Sequence, residues 1–593
     1  VHLIKVTNDG EAQDVELFWL GNFHVGDVSN DSERAQGDTS GMSVSGSSSG
    51  LSMHFVPVVE PARVDCSPNN PWYAVNEGWD LDACSDTGGD DRVVAMQWSL
   101  FLDEGESAWV GVVDQFGTED GVGAYLAGRG GQELLDAELA WWSDWQAQGT
   151  QPAGLSEDER AVYQQALAFM KMGQVREPGD AYGQILASLP LSAPVGSFQH
   201  TWNISWVRDG AYAIRAMVAA GHYAEARAFL AFQIQDGKTG DWVSYVGGME
   251  HALSICRIYG NGDEWTDTDE TGPNIEFDNF GLYLWAFGRY VEASGDTGFL
   301  NEHADKIFEQ TADVLVRLVD PSTGLITADS SIWERHWNGN QKQFTYTSTW
   351  AVRGLREAAW MAAQYGDAER ATTYEETANE IAAAIEEHLV RSDGVLVGNL
   401  EEHEANGEAM DLAAVDAFNN GTLDPRSDSY EASMEAWERD LGVSTGPGFK
   451  RNDDGDLYDE QEWLMVDLRV AEAMRRACRF DEAAEIEDWV TEHAVANNLI
   501  IPELLDPSTA DYAGPAPMMG FGSGLYVLQL HQRARLGEDC AALDSGDTGP
   551  AADSGDDSPG KDGARTTCGC SGLGAAGSLW LFLLPLLALR RRS

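Results

Sequence analysis

The chain has 593 residues, 43% of them hydrophobic, with 98 acidic against 37 basic side chains and a formal net charge of −61. A chain this long and this apolar buries a sizeable core in more than one domain, which excludes a disordered protein. The charge excludes nucleic acid and an anionic lipid surface as partners, because both would be repelled over most of the protein's face, and a neutral substrate fits better.

In chain order, no basic and apolar leader precedes the first pattern and the chain opens on Val1, so a processed or truncated N-terminus is expected. Strand patterns run over 2–7 and 15–20 around a turn at Asn8-Asp9-Gly10, and again over 52–59, 93–102 and 108–113. Serines and glycines over 40–50 read as a loop. Residues 1–131 are therefore expected to form an antiparallel β-sandwich. Cys66 and Cys84 stand at opposite ends of one loop, either as a disulfide in an exported protein or as two thiols.

From Glu133 the period changes from two to about 3.6. Leu134, Leu135, Leu139, Trp142 and Trp145 share one helical face, which predicts a linking helix within 132–150. Over 151–537 the expected helices are 158–172, 210–220, 223–235, 278–293, 303–318, 347–364, 372–390, 430–440, 462–478, 481–496 and 520–535. Paired helices in such number form a solenoid or a closed toroid; no unit recurs at the spacing of about 34 residues of a tetratricopeptide solenoid, so the toroid is preferred. In a toroid the functional groups gather in loops at the inner-helix ends, around a central cavity.

The unusual residues lie in such loops. The run Asp329 to Trp337 sets Glu334 between Trp333 and Trp337 and beside Arg335. Apolar rings desolvate a carboxylate and raise its pKa toward that of a general acid, while the arginine acts the other way; an ordinary buried Trp-Glu-Arg cluster is the bland alternative. Arg208 and Asp209, behind Trp202 and Trp206, make a donor and acceptor pair suited to two adjacent sugar hydroxyls, or Asp209 simply caps the next helix. Further loops hold Tyr259 to Trp265, Asn274 to Asn279, and Lys450, Arg451, Tyr458 and Trp463. Glu503 emerges from Leu499-Ile-Ile-Pro502, where mere surface charge is not expected. The 21 Trp and 17 Tyr suit stacking on the C–H faces of sugar rings. Cys256 and Cys478 fall in helical patterns that favour inert thiols, and no metal-ligand spacing stands out. Asn452 to Asp456 is faintly like a calcium loop, and a solvated turn is the preferred reading.

The order Trp206-Val-Arg-Asp209, Glu276-Phe-Asp278, Ile332-Trp-Glu334, Phe344-Thr-Tyr-Thr-Ser348, Glu462-Trp463 and Leu499-Ile-Ile-Pro-Glu503 resembles glycoside hydrolase family 15. This family of glucoamylases, glucodextranases and some bacterial trehalases is matched over about 156–536, and its bacterial members carry a preceding β-domain. The resemblance implies an (α/α)6 toroid and exo-acting, inverting hydrolysis of terminal α-linked glucose. It implies Glu334 as acid and Glu503 as base, with Trp206, Arg208, Asp209, Trp333, Arg451 and Trp463 binding substrate and no cofactor. Leu504 stands where many relatives have Gln, and Arg335 where some have a second acid, which bears on the subsites.

A linker rich in Asp, Gly, Ser and Pro, expected to be disordered, spans 538–566. The tail, 567–593, combines Cys568-Gly-Cys-Ser571, an apolar stretch over 572–589 long enough to span a bilayer, and Arg590 to Arg592. It reads as a plain membrane anchor or, by resemblance to myxosortase-type sorting signals, as a segment cleaved near the cysteines; either puts the enzyme outside the cytoplasm at the cell surface. The whole reads as mainly α, a toroid behind a β-sandwich, a monomer acting on an α-glucan or oligosaccharide. Trehalase or glucodextranase activity and a silent glucan-binding surface protein are the alternatives.

Overall fold

The structure, a computed structural model, describes residues 1–22, 33–46, 50–66, 71–84, 87–89, 92–117, 121–189, 202–334, 339–405, 409–455, 458–514, 516–544 and 590–591. Val1–Trp145, with residues 590–591, forms one compact unit and Gln146–Cys568 a second.

Among the described residues of 1–145 there are nine strands: β1 His2–Thr7, β2 Gln13–Asn22, β3 Glu33–Asp38, β4 Gly41–Gly46, β5 Ser52–Pro57, β6 Arg63–Asp65, β7 Thr87–Gly89, β8 Val93–Leu102 and β9 Ser107–Phe116. One antiparallel sheet runs β1-β9-β5-β4-β3-β7, and a second runs β2-β8-β6, with residues 590–591 paired to Val15 and Glu16 on its edge. Leu17, Trp19, Met96 and Trp98 of the second sheet share one buried cluster with Val44, Phe55, Val110 and Val112 of the first, so the two layers form a sandwich. The expected loop over 40–50 is corrected: Gly41–Gly46 is a strand, because Met42 and Val44 alternate into the core between small outward residues. On its other face the second sheet buries Phe18 and Ala95 against Val75, from helix α1 (Trp72–Glu77), and Leu81. Helices α2 (Val122–Leu126) and α3 (Gly131–Gln146) follow, and Cys66 and Cys84 are joined in a disulfide.

The second unit is helical. Its elements are α4 Glu157–Met172, α5 Val207–Ala219, α6 Tyr223–Gln233, α7 Asp278–Ser294, α8 Thr297–Glu302, α9 Ala304–Ile307, α10 Asp313–Arg317, α11 Thr345–Tyr365, α12 Ala368–Leu389, α13 Leu400–Glu404, α14 Asp416–Asn419, α15 Asp428–Leu441, α16 Leu464–Arg476, α17 Phe480–Ala496 and α18 Leu525–Asp544. Ser156 and Glu159 close a reciprocal capping box at the start of α4. Helix α5 packs on α7, α7 on α11, α11 on α14, α14 on α16 and α16 on α18, and α18 returns to α5. These helices close a ring of packing, and α6, α12 and α17 pack on α5, α11 and α16. Where α7 and α11 cross, Gly281 faces Gly354 so closely that a Cβ on Gly281 would sit 2.1 Å from the Trp350 carbonyl oxygen. Closure is as tight: Gly520, in the π-helical turn Met519–Gly524 before α18, lies where a Cβ would be 2.0 Å from the carbonyl oxygen of Asp209.

Two cysteine expectations are corrected. Cys478 is no inert helical thiol but sits just past α16 with φ of 64°, bridged to Cys540 of α18 across 62 residues. Cys256 is a buried thiol, yet it precedes a two-residue strand and lies in no helix. No helix among the described residues is long and apolar enough to cross a membrane. The calls on 567–593 lie outside the described residues apart from 590–591.

Candidate active site

Two small three-stranded antiparallel sheets in the loops of the helical unit position the side chains. In the first, Ser205–Trp206 pairs with Arg257–Ile258, which pairs with Glu264–Trp265. In the second, Glu462–Trp463 pairs with Leu504–Leu505, which pairs with Tyr512–Ala513. The first sheet leads into α5 and sets Trp206 and Arg257 side by side. The second brings Glu503, one residue before its middle strand, to Trp463, the entry of α16.

Glu334 ends a tight turn, its amide donating to the Ser331 carbonyl, and both residues take left-handed backbone, with φ of 53° and 54°. Such backbone is strained for residues with a Cβ and persists where the surroundings hold it. The anchor here is Asp329, fully buried, whose carboxyl accepts from the Phe277 amide at 2.9 Å and from the Thr347 hydroxyl at 3.0 Å. Burial pushes the Asp329 carboxyl well above its ordinary range.

The expected packing of Trp333 on Glu334 is corrected. Trp333 turns away and donates its indole N–H to both oxygens of Asp411, at 2.9 and 3.0 Å, and the indole that meets Glu334 is Trp206, donating to Oε1 at 2.9 Å. Adjacent residues in a tight turn point apart, so nearness in sequence misled. Arg335 and Trp337 lie outside the described residues. Oε2 of Glu334 accepts from Arg257 and from Asn274, each at 3.0 Å, and Arg208 lies 3.6 Å from Oε1. Donors on both oxygens fix the carboxyl's direction, which catalysis by a single positioned group requires.

Arg208 and Asp209 are both buried. Helix α5 starts at Val207, so Asp209 stands in its first turn and Trp206, with no capping side chain, occupies the cap. Arg208 is buried and donates to Glu276 at 2.9 Å and Asp278 at 3.2 Å; burial alone would lower its pKa, but those carboxylates and Glu334 raise it. It is a buried counter-charge beneath the site. Asp209 is buried too, with Oδ1 lacking a hydrogen-bond partner among the described residues, and burial, partly offset by Arg208, pushes its carboxyl up to about 7. A buried carboxylate oxygen without a donor is costly unless something binds to it.

Glu503 follows a sharp reversal after α17, where Asn498 and Leu499 are both left-handed, with φ of 57° and 66°. Its Oε1 accepts from the Tyr458 hydroxyl at 2.5 Å, while Oε2 is buried with no partner among the described residues. Burial pushes Glu503 up to about 8; the Tyr458 bond and the charge of Arg451 act to lower it, and Asp209 to raise it. Arg451 pairs with Asp459 and is enclosed by the rings of Trp333, Trp463 and Tyr458, at 4.8, 4.7 and 5.1 Å. Trp333 and Trp463 lie 5.4 Å apart. All eight residues singled out in the sequence thus belong to one connected cluster around Glu334, Asp209 and Glu503.

Sequence reasoning passed over Arg257 and Asp411 and gave Asn274 no role. The signal for Arg257 was a lone cation inside the apolar run Leu253-Ser-Ile-Cys-Arg-Ile258. The Cys256 thiol and the Glu276 and Glu334 carboxyls place ligand atoms within 4.8 Å of one another, a spacing that could hold a metal ion. The amide nitrogen of Asn274 lies amid them, 3.5 Å from Sγ, 3.1 Å from Glu276 and 3.0 Å from Glu334. With Arg208 on Glu276 and Arg257 on Glu334, the chain's own cations and amide serve these groups. Asn452, in the segment faintly like a calcium loop, accepts from the Asp454 amide, the arrangement of an ordinary Asx turn.

Residues 161–442 match the family described as Glycosyl hydrolases family 15. A curated relative, the trehalase of Thermoplasma volcanium, is 24% identical over 341 residues, 56% of this chain and 52% of that protein. The chain thus spans about half the length of the curated relative it matches. Among solved structures, a bacterial glucoamylase complexed with acarbose superposes with a TM-score of 0.63 at 14% identity, over 88% of this chain and 77% of that one. The glucoamylase of Saccharomycopsis fibuligera gives 0.50 at 13% identity, over 65% of this chain and 98% of that one. These likenesses show a shared fold, and with the family match they support a glycoside hydrolase.

Proposed function

We propose that this chain is a family 15 glycoside hydrolase that removes terminal α-linked glucose from oligo- or polysaccharide ends with inversion. The ring of helices is then the family's (α/α)6 toroid. The observation that carries the reading is the convergence of Glu334 and Glu503, from loops far apart in sequence, on a cluster holding the buried Asp209. One carboxyl must protonate the glycosidic oxygen while another removes a proton from water attacking the anomeric carbon from the opposite face, about 6.5–9.5 Å away. Glu334, oriented by donors at both oxygens, is the acid: its proton goes to the leaving alcohol. Glu503 is the base and takes the proton of the attacking water; Tyr458 stabilises its charged form. Asp209 grips a hydroxyl of the terminal glucose, with Trp206, Trp333 and Trp463 as walls, and Arg208 and Arg451 as buried cations that keep the carboxylates in place.

The trehalase relative favours a second reading, in which the disaccharide trehalose is the substrate. Incubation with maltotetraose, isomaltotriose and trehalose, following the released anomer by NMR, tests both. Release of β-glucose from either oligosaccharide, or of α- and β-glucose in equal amounts from trehalose, supports inversion; release of α-glucose alone, or no hydrolysis of any of the three, overturns the reading.

We further propose export and attachment at the cell surface through 567–593. The two disulfides, Cys66–Cys84 and Cys478–Cys540, support an oxidising compartment. Mass spectrometry of the native C-terminal peptide separates the two forms of attachment: an intact Arg590-Arg-Arg-Ser593 end means a retained anchor, and an end near Cys568 a processed signal.

A further inference from the structure

The hairpin that carries Arg257 leads from Glu334 to solvent as a ladder of stacked groups. Arg257 donates to Glu334 Oε2 at 3.0 Å and to Asp267, and it faces Trp265 directly across the hairpin. Its guanidinium lies 4.4 Å from the ring centre of Trp206 and 4.5 Å from that of Trp265. Trp265 in turn packs against Tyr259, with centres 5.4 Å apart and planes 37° from one another, and Tyr259 is 43% exposed. The Asp267 side chain, 42% exposed, stands beside the same guanidinium. The order outward is therefore Glu334, Arg257 between two indoles, Trp265, and Tyr259 at the surface.

Tyr259 thus presents an aromatic ring to solvent at the end of a stack that starts at Glu334. On the assignment of Glu334 as acid, the sugar that departs lies on the Glu334 side of the broken bond. The neighbours of Glu503, by contrast, are Tyr458, Arg451 and Asp209. We propose that Tyr259 and Trp265 form a subsite for the departing, reducing-side part of the substrate, where a second or later glucose ring lays its C–H face on an aromatic ring and offers a hydroxyl to Asp267. This subsite rests on the glycosidase reading above and adds to it a preference for oligosaccharides longer than two units.

The test measures kcat/KM of wild type, Tyr259→Phe and Tyr259→Ala on two substrates: α-glucosyl fluoride, whose leaving group is too small to reach Tyr259, and maltotetraose or isomaltotetraose, whichever wild type hydrolyses faster. The subsite predicts that Tyr259→Ala loses about five- to tenfold more on the tetrasaccharide than on the fluoride, and that Tyr259→Phe, which keeps the ring, restores it. Equal effects on both substrates, or none, overturn it. A wild type that cleaves the fluoride but neither tetrasaccharide overturns the subsite and leaves the glycosidase standing. If neither the fluoride nor a tetrasaccharide is cleaved, the glycosidase reading falls and takes the subsite with it.

Discussion

The Tyr458 hydroxyl donates to Glu503 Oε1 at 2.5 Å across 45 residues of chain. The bond joins a loop that precedes α16 to the strand that follows α17, and it favours the charged carboxylate that burial disfavours. Removing the phenol should therefore raise the Glu503 pKa further. Because a base works only when deprotonated, Tyr458→Phe should move the acidic limb of the kcat/KM profile to higher pH and lower the rate at neutrality. A pH–rate profile of both proteins checks it, and an unmoved limb would assign the base elsewhere.

Glu334→Gln and Glu503→Gln should each lower kcat by about 10²–10⁴ while the far-ultraviolet circular dichroism stays that of wild type, since each removes one proton-transfer group and little volume. Near-native turnover in either variant contradicts the corresponding role.

Glu503 also leaves a mark on stability. Its carboxyl is raised from 4.5 to about 8, so the folded state holds its proton more tightly than the unfolded state does. That contribution is full below pH 4.5 and is lost as the pH rises through about 8. Gln cannot titrate. The Tm of Glu503→Gln relative to wild type should hence climb between about pH 5 and about pH 9, as read by calorimetry; a constant difference refutes the raised pKa.

Asp209→Asn keeps the shape of the side chain and removes its charge. Trp206, not Asp209, stands at the cap of α5, and burial pushes the Asp209 carboxyl up to about 7, so above that pH Tm should not fall, while kcat/KM should drop about ten- to a hundredfold on every substrate, all of which share the terminal glucose. Full activity would mean that the side chain is only packing.

Cys540→Ser opens the bridge to Cys478, which closes 62 residues of chain. Denaturant unfolding should show a loss of about 4 kcal/mol, and a reductant should then produce little further loss at this bridge. Equal stability of the variant and wild type under oxidising conditions would mean that the bridge does not form.

Much of the site was legible because its residues sit in short motifs with unusual local chemistry. Glu503 stands out as an acid after Leu-Ile-Ile-Pro, and Trp206-Val-Arg-Asp209 as a charged pair at a helix entry. What the motifs did not reveal is which groups touch. The partner of Trp333 is Asp411, 78 residues on, and the indole on Glu334 comes from Trp206, 128 residues before. Both contacts follow from helix packing and leave no trace in local spacing. The strand at Gly41–Gly46 was missed for a different reason: Ser and Gly mask its alternation, and only the facing sheet makes Met42 and Val44 a buried row. Cys478 looked inert because its partner lies in the last helix.

The family match ends at residue 442, and Glu503, the proposed base, arrives 61 residues later, just before the strand that leads towards the ring-closing helix. A chain emerging from its N-terminus therefore completes the acid's surroundings well before it owns a base. Docking of the last described helix against α5, with Gly520 seated on Asp209, closes the ring of packing. On the proposed roles, hydrolysis requires synthesis through the ring-closing helix, because a product cut short before Glu503 carries the Trp206–Glu334 half of the site without its base.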